Sequence, residues 1–255
     1  MRKPLAAANW KMNGTKSEAF AWVRDMAGVS CPDTQVVLCL PFVYVDALAC
    51  AFPDGRVEIG AENLADHDKG AFTGEVSAAM LADVKARFVL VGHSERRAMY
   101  GETDDVVAAK CELALAAGLK LIFCVGETLE ERESGKAFEV IERELEAVIA
   151  KVGVTPFIEG AIAYEPVWAI GTGKTATPEI AQAMHAHIRG VLAAHDAQAA
   201  AQARILYGGS VKPGNAGELF AQPDIDGGLV GGASLKSQDF SAICLALESA
   251  KKFHK

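Results

Sequence analysis

Four side chains of different chemistry each stand just behind a short apolar run: Asn9, Lys11, His93 and Glu165. Glycine-rich turns follow similar runs at Gly208-Gly209-Ser210 and Gly231-Gly232, and a third, containing Gly171 and Gly173, comes soon after Glu165. A carboxylate held close and kept from water can take a proton from a carbon beside a carbonyl. The enediolate oxygen that then develops needs donors already aimed at it. An imidazole N–H, an ammonium and a carboxamide supply such donors. A phosphate dianion needs backbone N–H groups, which glycines let approach closely. Together these residue types suit enolisation of a phosphorylated carbonyl compound.

Singly, each has a plainer reading. Glu165 could be one half of a structural ion pair, since those also perturb carboxylates. A histidine after a strand is more often structural, Lys11 alone is a solvated cation, and glycine pairs are turns. Only their joint arrival at one place favours chemistry, so the elements between them must bring them together.

Those elements alternate. Runs fit for buried strands occupy Leu5–Trp10, Val36–Leu40, Val57–Ala61, Phe88–Gly92, Lys120–Val125, Gly160–Tyr164, Ile205–Tyr207 and Gly228–Val230. Helical patterns lie between them. Ile180, Met184, Ile188, Val191 and Leu192 share one face, as do Phe138, Ile141, Leu145, Val148 and Ile149. Thr177-Pro178 reads as an N-cap followed by proline at the first helical position. Glu139 and Arg143 have the spacing of an outward helix pair, and a last helix spans about Phe240 to Lys251. About eight strand–helix units, with no linker between them, predict an α/β fold: eight parallel strands closed into one (β/α)8 TIM barrel over residues 1–255. A doubly wound open sheet is the alternative. In a barrel the βα loops form one mouth, where the polar residues named above would meet.

Two phosphate motifs fail on inspection. Gly173-Lys174-Thr175 resembles a P-loop tail, but the required first glycine is Trp168. Gly171-x-Gly173-x-x-Ala176 fits a dinucleotide fingerprint only formally, because its glycines precede the helix start and no acidic residue follows at the ribose-binding distance. No His/Cys/Asp set has metal-ligand spacing, so no metal is expected.

The bulk properties narrow the class. Of 255 residues, 51% are hydrophobic and 23% charged, enough to fill a large core. A net charge of -8 argues against a nucleic-acid or anionic-membrane surface. A small anion is still compatible, because local donors outweigh diffuse charge beyond ~10 Å of salt screening. With no secretory leader or membrane span, a cytoplasmic location is expected. Six cysteines without paired spacing read as free buried thiols in a reducing compartment. Asn13-Gly14-Thr15 matches a glycosylation acceptor by chance.

The motifs, taken whole, resemble one family. Asn9-Trp10-Lys11-Met12-Asn13-Gly14, Gly92-His93-Ser94-Glu95-Arg96-Arg97, Ala163 to Gly173, Tyr207-Gly208-Gly209-Ser210-Val211 and Val230-Gly231-Gly232-Ala233-Ser234-Leu235 are similar, in order, to the motifs of the triosephosphate isomerases. That resemblance implies a cofactor-free isomerase acting on a small phosphorylated triose. It implies Glu165 as base and His93 as a neutral electrophile whose pKa is depressed by the following helical turn. Lys11 and Asn9 would stabilise the enediolate. Gly171, Ser210, Gly231 and Gly232 would offer backbone N–H groups to the phosphate, and residues 166–176 would form a mobile lid. The segment Gly70-Ala71-Phe72-Thr73-Gly74-Glu75 resembles the family's interdigitating loop and implies a homodimer formed around Thr73. Glu62 stands where many relatives carry glutamine. Two other readings use a similar barrel: a Schiff-base aldolase employing a desolvated lysine, and a non-catalytic phosphate-binding scaffold.

Overall fold

Extended apolar runs dominate the centre of the molecule. The computed structural model describes residues 2–52, 56–170 and 175–252. Its strands are β1 Leu5–Asn9, β2 Gln35–Leu40, β3 Glu58–Ala61, β4 Phe88–Val91, β5 Lys120–Val125, β6 Ala161–Tyr164, β7 Ile205–Tyr207 and β8 Gly227–Val230. They pair in chain order, all parallel, and β8 closes on β1 with Leu5 opposite Gly227. The closed barrel replaces the open-sheet alternative. Each predicted strand is present, with ends moved by one residue at most.

The helices are α1 Lys16–Ala27, α2 Phe42–Ala51, α3 Ala78–Asp83, α4 Ser94–Tyr100, α5 Asp104–Ala116, α6 Leu129–Glu133, α7 Ala137–Val152, α8 Pro156–Glu159, α9 Pro178–His195, α10 Ala197–Gln202, α11 Ala216–Phe220 and α12 Ser237–Lys252. Thr177 caps α9 by accepting from the N–H of Ile180, with Pro178 at the first helical position. Along α7, Val140, Ile141, Leu145, Val148 and Ile149 are buried. Phe138 departs from the expected face: it is 48% exposed and meets His187 edge-on, ring centroids 4.6 Å apart. Arg143 also departs from expectation. Its guanidinium turns from Glu139 to Asp104 on α5, at 3.0 Å, because α5 and α7 pack side by side and supply a closer carboxylate.

Two apolar clusters follow from the period-two alternation of strands. Ala6, Ala8, Leu38 and Ile162 belong to the cluster shared with the helices. Leu5, Ala7, Val37, Phe88, Leu90, Ala161, Ala163, Leu206 and Leu229 form the smaller cluster inside the barrel. All six cysteines are free, but only Cys39, Cys111, Cys124 and Cys244 are buried; Cys31 is half-buried and Cys50 exposed, which corrects the expectation for those two. Among the described residues, no helix is long and apolar enough to cross a membrane.

At the amino end of the barrel, buried charges are tied together. Asp226 accepts from Arg2 at 2.5 Å, from Arg189 at 2.8 Å and from the N–H of Ile205 at 2.9 Å. Arg204 donates to the carbonyls of Gly160 and Glu159 and to the side chain of Gln35.

Candidate active site

The inward phase of each strand selects what appears at the carboxyl end. Leu5 and Ala7 point inward, so Asn9 and then Lys11 continue that side of β1; Ala161 and Ala163 hand the same phase to Glu165. Leu206 leads to Gly208 and Leu229 to Gly231. On β4 the phase is reset by Gly92, whose φ of +73° is left-handed, and His93 turns into the mouth. Lys11 itself has φ +54°, an uncommon conformation for a side chain that large. Asn9 supports that turn, its side-chain oxygen accepting from the N–H of Lys11 at 3.1 Å.

Asn9, Lys11, His93, Glu165, Ser210, Gly231 and Gly232 line one cavity of about 500 Å³. Seven of the eight predicted site residues therefore meet at one mouth. Gly171 lies outside the described residues, as do 172–174 of the predicted lid.

The centre is a carboxylate–imidazole pair. His93 Nε2 lies 2.9 Å from Glu165 Oε1. His93 caps α4 through its ring: Nδ1 accepts from the N–H of Glu95 at 3.2 Å. That assignment leaves the ring proton on Nε2, facing the carboxylate. Ser94 donates its N–H to Glu165 Oε2 at 2.9 Å and its hydroxyl to Oε1 at 3.3 Å. Burial alone would raise the Glu165 pKa, but His93, the Ser94 N–H and Lys11 hold it below the usual carboxylate range. Gly208 makes room for this side chain, since a Cβ there would stand 2.9 Å from Glu165 Cγ.

His93 departs from the expected direction. Burial lowers its pKa, yet the charge of Glu165 and their hydrogen bond raise it further, and the net direction is upward. The cause is the direct contact with Glu165, which sequence cannot show. Moving the carboxylate toward a bound carbon acid would remove this effect, leaving burial, Lys11 and the Glu95 N–H to favour the neutral ring against the charge of Glu95.

Three residues beyond the predicted set complete the site. Glu95 binds the Lys11 ammonium at 2.5 Å and stands 3.8 Å from His93 Nδ1, setting the lysine beside the imidazole. Ser94 holds Glu165. Glu127, fully buried, ties down the segment that opens the predicted lid: it accepts from Tyr164 Oη at 3.0 Å, Trp168 Nε1 at 2.8 Å and Arg132 at 3.1 Å. Its carbonyl takes the N–H of Val167 at 3.1 Å. Ser94 and Glu95 lay inside a quoted motif, next to His93. Glu127 had no local signal, because two of its partners are 37 and 41 positions away.

Among the described residues, no group of three or more His, Cys, Asp or Glu could hold a metal ion.

The family model described as triosephosphate isomerase matches residues 4–247. The chain belongs to the triosephosphate isomerase family. It is 54% identical to the triosephosphate isomerase of Thiobacillus denitrificans, over 96% of this chain and 99% of that one. It is 55% identical to that of Alcanivorax borkumensis, over 97% and 99%, and 53% identical to that of Hydrogenovibrio crunogenus, over 96% and 98%. Every motif quoted for the resemblance falls within the matched span.

Proposed function

We propose that this chain is an aldose–ketose isomerase that interconverts dihydroxyacetone phosphate and D-glyceraldehyde 3-phosphate through an enediolate, as a step of glycolysis and gluconeogenesis. The observation that carries this reading is the buried Glu165–His93 contact of 2.9 Å beside Lys11. Glu165 leaves Ser94, takes the proton from the carbon beside the carbonyl, and returns it to the neighbouring carbon. His93, neutral, donates Nε2–H to the oxygen on which charge develops, and Lys11 and Asn9 add positive charge and a hydrogen bond. Gly171, Ser210, Gly231 and Gly232 hold the phosphate through backbone N–H groups. Residues 166–176 close over the enediolate and exclude water, pivoting on the Glu127 anchor. The chemistry calls on no metal and no cofactor.

The same proposal makes the chain a single barrel domain, cytoplasmic and homodimeric. Next to the catalytic cavity lies a groove of about 640 Å³ reaching from Lys11 to Met12, Val43, Glu62, Met99 and Tyr100. Met12 is 95% exposed, Val43 78% and Met99 72%, a concentration of apolar surface that marks a protein contact. The loop of residues 70–75, with Phe72 part-exposed at its tip, is the segment proposed to fill the partner's groove. Thr73→Arg is expected to give a monomer by sedimentation with reduced turnover; a wild-type chain fully active as a monomer would overturn the dimer.

The reaction is tested by supplying glyceraldehyde phosphate and reducing any dihydroxyacetone phosphate with a separate dehydrogenase. Turnover without an added metal is expected. A folded protein without turnover would favour the phosphate-binding scaffold, and a lysine adduct trapped by borohydride would favour the aldolase.

A further inference from the structure

Cys31 and Cys244 lie 213 positions apart (244 - 31) yet meet where the loop before β2 packs on α12. The two thiols are neighbours across that contact, Cys244 acting to lower the Cys31 pKa and Cys31 to raise that of Cys244. One turn along the same face of α12, Glu248 accepts from the N–H of Asp33 at 3.3 Å and from the Thr34 hydroxyl at 2.7 Å. Thr34 in turn donates its N–H to the carbonyl of Cys31 at 3.2 Å. The loop carrying Cys31 is thus clamped to the helix carrying Cys244 by bonds independent of either sulfur. Cys31 lines a cavity of about 300 Å³ with Lys3, Met26, Ser30 and Arg56, and is half-buried, whereas Cys244 is fully buried.

We propose that Cys31 and Cys244 are a redox-modification site that a hydroperoxide converts to a reversible disulfide. The two sulfurs have distinct parts. Cys31 is reachable from its cavity, and the neighbouring Cys244 lowers its pKa, against burial and the charge of Glu248. Its thiolate attacks one peroxide oxygen, the O–O bond breaks, and hydroxide leaves and takes up the thiol's proton as water. Cys31 is then a sulfenic acid. The Cys244 sulfur attacks the Cys31 sulfur, the S–O bond breaks, and the hydroxyl leaves with the Cys244 proton as a second water. Two thiols and one hydrogen peroxide give one disulfide and two waters. A buried neighbouring thiol traps the sulfenic acid before a second peroxide makes it irreversible. A thiol reductant reverses the bond. The pair lies at the amino end of the barrel, opposite Glu165, so turnover is expected to be unchanged by it.

The other thiols provide internal controls. Burial pushes Cys39, Cys111 and Cys124 up, which leaves them unreactive. Cys50 is exposed, and its sulfur bonds the carboxylate of Asp46 at 3.5 Å in place of a second thiol.

The test treats the folded full-length protein with hydrogen peroxide, blocks remaining thiols and maps peptides by mass spectrometry. A linked Cys31–Cys244 peptide, lost on reduction with dithiothreitol, is the expected result. Cys244→Ser should leave Cys31 as a sulfenic acid that dimedone traps, and Cys31→Ser should leave Cys244 reduced. The wild-type map stands alone should either variant fail to fold. Wild-type protein in which Cys31 is over-oxidised beside a free Cys244 would overturn the proposal. So would one in which both stay thiols while Cys50 is oxidised.

Discussion

The two ends of the barrel handle buried charge in opposite ways. At the amino end, Asp226 has three donors and the facing arginines are spent on carbonyls and carboxylates. At the carboxyl end, Lys11 sits in a left-handed conformation, Glu165 is buried against an imidazole, and the Oε1 of Glu62 is buried without a partner. The first arrangement has nothing left to offer a ligand. The second keeps donors and a base directed into a cavity, and accepts strain to do so. One fold thereby separates the groups that hold the barrel closed from those that are proposed to act on substrate.

The largest expected effect would break this comparison if it went the other way. Asp226→Ala takes the carboxylate from Arg2, leaves Arg189 with the carboxylate of Asp224 alone and leaves the N–H of Ile205 without its acceptor, and should cost about 3 kcal/mol of stability. Denaturant titration should show that loss, while the folded fraction turns over normally. Impaired turnover in fully folded protein would mean that the amino end also takes part in the chemistry. Glu165→Asp should do the reverse: retracting the carboxylate by one methylene should slow turnover about 10²-fold with an unchanged denaturation midpoint. A shifted midpoint with normal turnover would make Glu165 a structural residue.

A smaller effect would sharpen the contrast. Burial is the main influence pushing the Glu62 carboxyl up to about 8, partly offset by the Lys11 N–H. An unfolded chain loses that proton near 4.5. Stability linked to Glu62 is therefore fully present below about pH 4.5 and falls as pH rises through about 8. Glu62→Gln should remove this dependence and stabilise the protein at pH 8 by about 2 kcal/mol, less than the full shift because the side chain is partly exposed. Thermal melts of both proteins from pH 5 to pH 9 (roughly the window that linkage sets) would show it. Parallel curves would mean that Glu62 is solvated in the protein as it exists in solution.

The barrel was legible because its strands are apolar on both faces and end at glycines and polar residues, which periodicity detects. The gathering of Asn9, Lys11, His93 and Glu165 was legible for the same reason, since each follows a strand. What escaped depended on contacts between distant segments. The upward direction at His93 comes from Glu165, 72 positions on (165 - 93). Glu127 acquires its role from Tyr164 and Trp168. Arg143 prefers a carboxylate on a neighbouring helix to the one on its own, and spacing along one helix cannot register that competitor.

The central claim is that Glu165 moves the proton. Its most direct test follows dihydroxyacetone phosphate in deuterium oxide by proton magnetic resonance, with wild-type protein and with Glu165→Gln. Wild-type protein should place solvent deuterium on the carbon beside the carbonyl as isomerisation proceeds. The folded glutamine variant should slow both isomerisation and deuterium uptake at least ~10³-fold. Deuterium uptake at the wild-type rate in that variant would contradict the account and assign the proton to another group.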